Sequence, residues 1–195
     1  MHAHLSIAAS APQNLFAAVA TSKKVQLYKS TDAGASWSVA TEDARPAGRI
    51  GGGDLPVVRI DPQNPQIVYA TSTVCWKSTN GGKTWEGWRG APGGDDYQNM
   101  WISPNDSSVI ALASDQGAII TVNGGATWSS WYNQSTAQLY HVSADNSFPY
   151  RLYSGQQESG SVGIDSRGAN GQLTFRDWHP VGGEEHGNGV AAPRE

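Results

Sequence analysis

One eight-residue motif occurs three times, as Ser30-Thr-Asp-Ala-Gly-Ala-Ser-Trp37, Ser78-Thr-Asn-Gly-Gly-Lys-Thr-Trp85 and Thr121-Val-Asn-Gly-Gly-Ala-Thr-Trp128. The pattern is Ser/Thr-x-Asp/Asn-x-Gly-x-Ser/Thr-Trp, and its starts fall 48 and then 43 residues apart. Such a period, filled by short strand-like segments, demands radial repetition of one small sheet.

The motif has a mechanical reading that needs no catalysis. Asp32, Asn80 and Asn123 each suit a tight turn, where a side-chain oxygen accepts from backbone N–H groups just ahead. The following glycine supplies positive φ at little steric cost. Trp37, Trp85 and Trp128 then bury large rings against the sheet. An amide replaces the carboxylate in two copies, which a turn acceptor tolerates and an acid catalyst or nucleophile does not.

A second landmark travels with the first: Ala11-Pro-Gln-Asn14, Asp61-Pro-Gln-Asn64, Ser103-Pro-Asn-Asp106 and, in weaker form, Asp145-Asn-Ser-Phe-Pro149. Pro12, Pro62 and Pro104 precede the motif Asp/Asn by 20, 18 and 19 residues. Each unit therefore reads as strand A, Pro-Asn turn, strand B, loop, strand C, motif turn, strand D. The expected strands are 5–10, 15–21, 25–31 and 37–41; 55–60, 66–72, 74–78 and 85–88; 99–102, 109–113, 118–122 and 128–132; and 139–143, 150–154, 161–165 and 173–178. β-Branched and aromatic residues dominate them, and turn formers bound them. The fold class is all-β: a partial β-propeller of about four four-stranded blades, near 5–41, 55–88, 97–132 and 138–178. Residues 1–183 form this incomplete propeller and 184–195 an irregular tail. Four blades are read as an arc cut from a larger ring, with open ends that invite self-association.

Composition bounds the partners. Charged residues make up 15% and the formal net charge is −4, so no basic stripe offers a nucleic-acid surface. No run approaches the ~18 apolar residues of a membrane span. Cys75, the single cysteine, reads as a small buried apolar residue. Met1-His-Ala-His-Leu5 lacks the features of a signal peptide. His2 and His4 have metal-like spacing without a carboxylate companion nearby in sequence. His141 falls on an expected strand, and His179 and His186 with Glu184 and Glu185 make a weak cluster; neither a metal nor another cofactor is expected.

The motif resembles the Asp-box, or BNR, repeat, Ser-x-Asp-x-Gly-x-x-Trp. More narrowly, Gly93-Gly-Asp-Asp-Tyr97, Trp131-Tyr-Asn133, Phe148-Pro-Tyr150, Gly155-Gln-Gln157 and Phe175-Arg-Asp-Trp-His-Pro180 resemble large bacterial proteins of the glycosyl-hydrolase-like or sortilin-like kind. The resemblance implies a propeller, a longer parent chain with further blades, and an extracellular or periplasmic location for that parent. It serves enzymes and receptors alike.

Antiparallel connectivity puts the Pro-Asn and Asp-box turns at one end of each blade. The other end receives loops 42–54, 89–97 and 133–138 between blades and 22–24, 114–117 and 155–160 within them. Glycoside hydrolysis needs two carboxylates, ~5–5.5 Å apart for retention or ~6.5–9.5 Å for inversion. Asp96, Asp115 and Glu158 are the candidate catalytic carboxylates on this loop end. Arg49, Arg89, Asp95, Gln116, Trp131, Tyr132, Gln156 and Gln157 are the candidate substrate-binding residues, hydrogen-bonding to hydroxyls or stacking under pyranose rings. The leading expectation is a carbohydrate-binding or glycosidase-type loop face. The alternative is a non-catalytic module that grips a protein or peptide partner.

Overall fold

The structure, a computed structural model, describes residues 2–131, 137–157, 160–174 and 176–182. The chain divides into two compact units, Met1–Trp131 and Tyr132–Glu195. It is all-β, a partial propeller of four antiparallel blades. Blade one is β1 (His2–Ala8), β2 (Ala11–Ala20), β3 (Val25–Ser30) and β4 (Ser38–Val39), hydrogen-bonded in that order. Blade two is β5 (Val57–Ile60), β6 (Val68–Thr71), β7 (Cys75–Ser78) and β8 (Glu86–Arg89). Blade three has β9 (Asn99–Ile102), β10 (Ile110–Ser114) and β11 (Gly117–Thr121). In the second unit, β12 (Ser143–Ala144), β13 (Arg151–Gln156), β14 (Gly160–Asp165) and β15 (Trp178–His179) form the fourth sheet.

Several expected strands are corrected. The expected strand 128–132 is not one: Ser129 alone takes the place beside β11, its N–H donating to the Ile120 carbonyl at 2.9 Å. Residue 132 lies outside the described residues. The expected strand 139–143 shrinks to the two residues of β12, preceded by a single bridge between Leu139 and Gln156. His141 is therefore not in a strand; its carbonyl accepts from the Ser154 hydroxyl. Strand 37–41 reduces to β4, followed by one more backbone bond from the Ala40 N–H to the Leu27 carbonyl at 2.9 Å.

The three motif copies fold alike. Asp32 Oδ1 accepts from the Ser36 N–H at 2.9 Å, Asn80 Oδ1 from Thr84 N–H at 2.9 Å, and Asn123 Oδ1 from Thr127 N–H at 2.9 Å. The leading hydroxyl closes the turn by accepting from the glycine N–H: Gly34 to Ser30, Gly82 to Ser78 and Gly125 to Thr121, at 2.9, 2.9 and 3.0 Å. The remaining side-chain atom separates acid from amide. Asp32 Oδ2 accepts from the Ser36 hydroxyl, whereas Asn80 Nδ2 donates to Thr84 and Asn123 Nδ2 to Thr127. A rotatable hydroxyl accommodates either polarity, so the exchange is neutral for the turn. Each motif turn is also tied to the segment that follows strand A of its own blade, through Ala33 N–H to Gln13, Gly81 to Gln66 and Gly124 to Ser108 carbonyls; in blade one the expected Pro-Asn turn 11–14 is already part of β2, and the turn falls at residues 9–10. Both turn families thus share one end of the first unit.

The core is made between blades. Ala8, Phe16, Ala18 and Leu27 of blade one pack on Val58, Ile60, Val68, Ala70 and Trp85 of blade two. Tyr69 and Cys75 of blade two pack with Met100, Ile102, Ile110, Leu112 and Ile119 of blade three. Strand alternation sends successive side chains to opposite neighbours, and full burial of each such aliphatic contributes about 1.5–3 kcal/mol. The first strands also touch directly: the Ile60 N–H donates to the Ser6 hydroxyl at 2.9 Å, and Arg59 Nε donates to the Met100 carbonyl at 2.9 Å. Cys75 is fully buried among apolar side chains, and burial pushes its thiol well above the ordinary range, which makes it inert.

The motif tryptophans divide. Trp85 is 6% exposed because blade one covers it. Trp128 is half-buried, its ring edge-on to Trp88 of blade two at 5.3 Å between centroids. Trp37, expected to be buried, is 40% exposed. Trp85 packs on blade one and Trp128 on Trp88 of blade two.

Candidate functional site

The loop end of the first unit gathers most of the candidate residues. The segment after blade one makes two single 3-10 turns, Arg45–Ala47 and Gly51–Gly53. It is locked by Arg49 donating to the Gly53 carbonyl and by Ile50 N–H donating to Asp54 O at 3.0 Å. The segment after blade two reaches it: Asp96 Oδ1 accepts from the Gly51 N–H at 2.9 Å. Asp96 holds φ of 41°, a left-handed conformation uncommon for a residue with a Cβ. A Cβ at Gly51 would overlap the Asp96 carboxylate at 1.9 Å, so glycine is required for this contact.

Asp95 turns the other way, to the hairpin between β10 and β11. Its N–H donates to Gln116 Oε1 at 3.2 Å while Gln116 Nε2 donates to its carboxylate. Asp115 accepts from Gln98 Nε2 at 3.2 Å. Arg89 is half-buried, with its guanidinium carbon 4.9 Å from the Trp128 ring centroid and 5.4 Å from that of Trp131. Its Nε is buried without a hydrogen-bond partner among the described residues. Trp131 packs so closely on Gly94 that a Cβ there would stand 2.5 Å from the indole. Tyr97 closes the base: it is fully buried, its hydroxyl donates to the Gly93 carbonyl at 2.9 Å, and burial pushes its pKa up to about 12.

Beside this lattice lies a cleft of about 550 Å³ at the loop ends of the first strands of blades one to three. His2, His4, Arg49, Asp54 and Gln98 give it its polar lining. His4 Nδ1 lies 3.2 Å from the Pro56 carbonyl. The cleft offers a guanidinium, a carboxylate, an amide and two imidazoles to a ligand of a few polar rings, the mixture of donors and acceptors that fixes orientation in a binding pocket.

The structure therefore joins Asp95 with Gln116 and links Asp96 to the loop that carries Arg49. Asp96 and Asp115 have separate hydrogen-bond partners, Gly51 and Gln98. Glu158 and Tyr132 lie outside the described residues. Gln156 and Gln157 belong to the second unit, where Gln156 ends β13 and the Gln157 N–H donates to Gln138 at 3.0 Å. Sequence reading missed Gln98 and set aside His2 and His4. The available signal was the period-2 spacing of the two histidines at the start of a strand, and the place of Gln98 immediately before β9. No group of three or more metal-ligating side chains occurs among the described residues, and no helix there is long and apolar enough to cross a membrane.

No protein-family model matches the sequence, and no curated protein matches it. Among solved structures, the chain is similar to the GH74 enzyme of Niastella koreensis, with 19% identity and a TM-score of 0.50, covering 88% of this chain and 29% of that one. It is also similar to YCF48 bound to D1 peptide, at 15% identity and a TM-score of 0.47, covering 83% of this chain and 49% of that one. A protein of the nidogen/laminin complex follows at 12% identity and 0.47, over 83% of this chain and 58% of that one. The chain thus spans under a third of the GH74 enzyme and about half of YCF48. At such identity the likeness to the GH74 enzyme bears on fold alone, and that fold is a β-propeller.

Proposed function

We propose that this chain is a portion of a glycosyl-hydrolase-like Asp-box propeller whose loop end binds a glycan. The polar cleft lined by His2, His4, Arg49, Asp54 and Gln98 carries this reading. It lies at the loop ends of the strands, opposite the turns that bear the repeated motif. The extended Asp95–Gln116 and Asp96–Gly51 ties hold its rim in place. An extracellular or periplasmic parent fits a polysaccharide ligand and follows from the same family resemblance.

Binding is favoured over turnover. If the face hydrolyses, Asp96, Asp115 and Glu158 are the candidate catalytic carboxylates. The first two already serve as hydrogen-bond acceptors for Gly51 and Gln98. Isothermal titration with a panel of β-glucan and xyloglucan oligosaccharides tests the reading. Binding is expected for at least one glycan, weakened about tenfold (about 1.4 kcal/mol) by Arg49→Ala or Gln98→Ala. Heat exchange with none of them, or binding untouched by both substitutions, would remove the glycan assignment.

A further inference from the structure

The fourth sheet keeps an incomplete copy of the repeated motif. Between β14 and β15 stands Gly168-Ala-Asn-Gly-Gln-Leu-Thr-Phe175. It holds the motif frame at Asn170 and Thr174 and ends on an aromatic residue. Gly168 replaces the leading Ser/Thr, and Gln172 replaces the glycine two residues after the Asn. Asn80-Gly81, Asn123-Gly124 and Asn170-Gly171 are thus one dipeptide in the same connection of three blades. A fourth such pair, Asn188-Gly189, lies outside the described residues.

Asn-Gly is a labile pair. The glycine main-chain nitrogen can attack the Asn side-chain carbonyl carbon, and glycine has no Cβ to obstruct the approach. Two of the three turns oppose this attack. Asn80 Nδ2 donates to the Thr84 hydroxyl at 2.7 Å and Asn123 Nδ2 to the Thr127 hydroxyl at 2.8 Å, while each Oδ1 accepts from the N–H of the same threonine. The attacking nitrogens are engaged as well, Gly81 N–H with the Gln66 carbonyl at 2.8 Å and Gly124 N–H with the Ser108 carbonyl at 2.9 Å. In the incomplete copy the threonine is spent elsewhere: the Thr174 N–H and hydroxyl both donate to Asp177 Oδ2, at 2.6 and 2.9 Å. No hydrogen bond holds the Asn170 amide among the described residues. The Gly171 N–H donates only to Gly168, three residues back, at 3.0 Å, and nothing lies within 4 Å of a Cβ position at Gly171. Each of these bonds lies within a single blade, so the difference belongs to the turns themselves.

We propose that Asn170 is a site of spontaneous covalent modification in the folded protein, converting through a succinimide with Gly171, and that the complete motif protects Asn80 and Asn123 from the same reaction. The Gly171 nitrogen loses its proton and bonds to Asn170 Cγ, the Cγ–Nδ2 bond breaks, and Nδ2 leaves as ammonia. Water then opens the ring at either carbonyl. Opening at the side-chain carbonyl gives aspartate, and opening at the main-chain carbonyl gives isoaspartate, whose chain runs through the former side chain. Either product places a new carboxylate on this turn. Breaking one three-residue turn bond is a local opening, whereas Asn80 and Asn123 must also release side-chain bonds and a bond to a distant segment of their sheet.

Ageing of the full 195-residue chain at mildly alkaline pH tests this, with circular dichroism to follow the fold and an unaged control. Tryptic cleavage places Asn80, Asn123 and Asn170 in separate peptides, 78–83, 90–151 and 168–176, apart from the one that carries Asn188. Tandem mass spectrometry then reads the change from amide to acid at each site. In the folded chain Asn170 is expected to convert at least about tenfold faster than Asn80 or Asn123, a factor that about 1.4 kcal/mol of restraint supplies. In urea, with the turns lost, the three are expected to convert at similar rates. Isoaspartate is expected among the products at Asn170, since direct hydrolysis of the amide gives aspartate alone. Equal rates in the folded chain, or an Asn170 as inert as the other two, overturn the proposal. So does a rate difference that persists in urea, which would assign it to flanking sequence, or a product free of isoaspartate.

Discussion

Gly82 lies directly against the ring of Phe16: a Cβ at Gly82 would stand 2.5 Å from Phe16 Cζ. The contact joins the motif turn of blade two to the second strand of blade one, so one glycine serves both the turn, at φ of 83°, and the packing between blades. Gly125 repeats it, with a Cβ position 2.4 Å from the Trp88 indole.

Gly82→Ala and Gly125→Ala are therefore expected to cost more than Gly124→Ala. All three have positive φ, but nothing lies within 4 Å of a Cβ at Gly124. The backbone penalty for a non-glycine residue in this region is about 1–2 kcal/mol, and overpacking adds about 1–3 kcal/mol at the two crowded sites. Urea denaturation of the three variants measures the difference. Equal losses would mean that the turn conformation matters and the inter-blade contact does not.

Trp85→Ala is expected to lose about 3–5 kcal/mol, the usual cost of removing a buried aromatic. Trp37→Ala is expected to lose clearly less, since its ring is 40% exposed. Thermal melts of both variants decide the matter. A Trp37 variant as damaged as the Trp85 variant would contradict the difference in burial between the two rings.

Acid should act on the first motif turn and spare the other two. Hydrogen bonds from the Ser36 hydroxyl, the Ser36 N–H and the Ser30 hydroxyl lower the Asp32 pKa from 3.8 to about 2. A folded-state pKa below the unfolded value stabilises above the unfolded value and loses that contribution as pH falls through the folded one. The window is pH 4 to 2. Asp32→Asn, which gives this turn the amide of Asn80 and Asn123, is expected to flatten its share of the acid dependence. Carboxyl NMR titration of Asp32, with stability measured against pH for both proteins, checks the sign; a midpoint near 4 would remove the effect.

Asp96→Asn and Asp115→Asn separate binding from catalysis on the loop end. If the face only binds, neither changes reducing-sugar release from glycans above the buffer rate. Asp96→Asn nonetheless weakens the glycan through the 49–54 segment by a few-fold, because Gly51 loses a charged acceptor. Release of sugar by the wild type that either amide abolishes would instead assign that carboxylate to hydrolysis.

What could be read in the sequence was what is local. The Asp32, Asn80 and Asn123 turns follow from hydrogen bonds spanning four residues, so eight residues suffice to define them. The blade order follows from their period. Burial of the tryptophans does not: Trp37 and Trp85 occupy the same motif position, and the cover that blade one gives Trp85 is not written in its motif. Nor does the strand expected at 128–132 form: Ser129 fills the fourth place of blade three through one backbone bond to Ile120. The cleft was hidden for the same reason. His2, Arg49 and Gln98 come from three separate stretches, brought together by the side-by-side placement of β1, β5 and β9.

Hydrogen exchange of the chain with and without a bound xyloglucan or β-glucan oligosaccharide tests the central claim most directly, because local protection maps where a ligand orders the backbone. The account predicts slowed exchange at residues 49–55 and 95–98, with the motif turns at 30–37, 78–85 and 121–128 unchanged. Protection confined to those turns, or absent from 49–55 at a saturating glycan concentration, would contradict it.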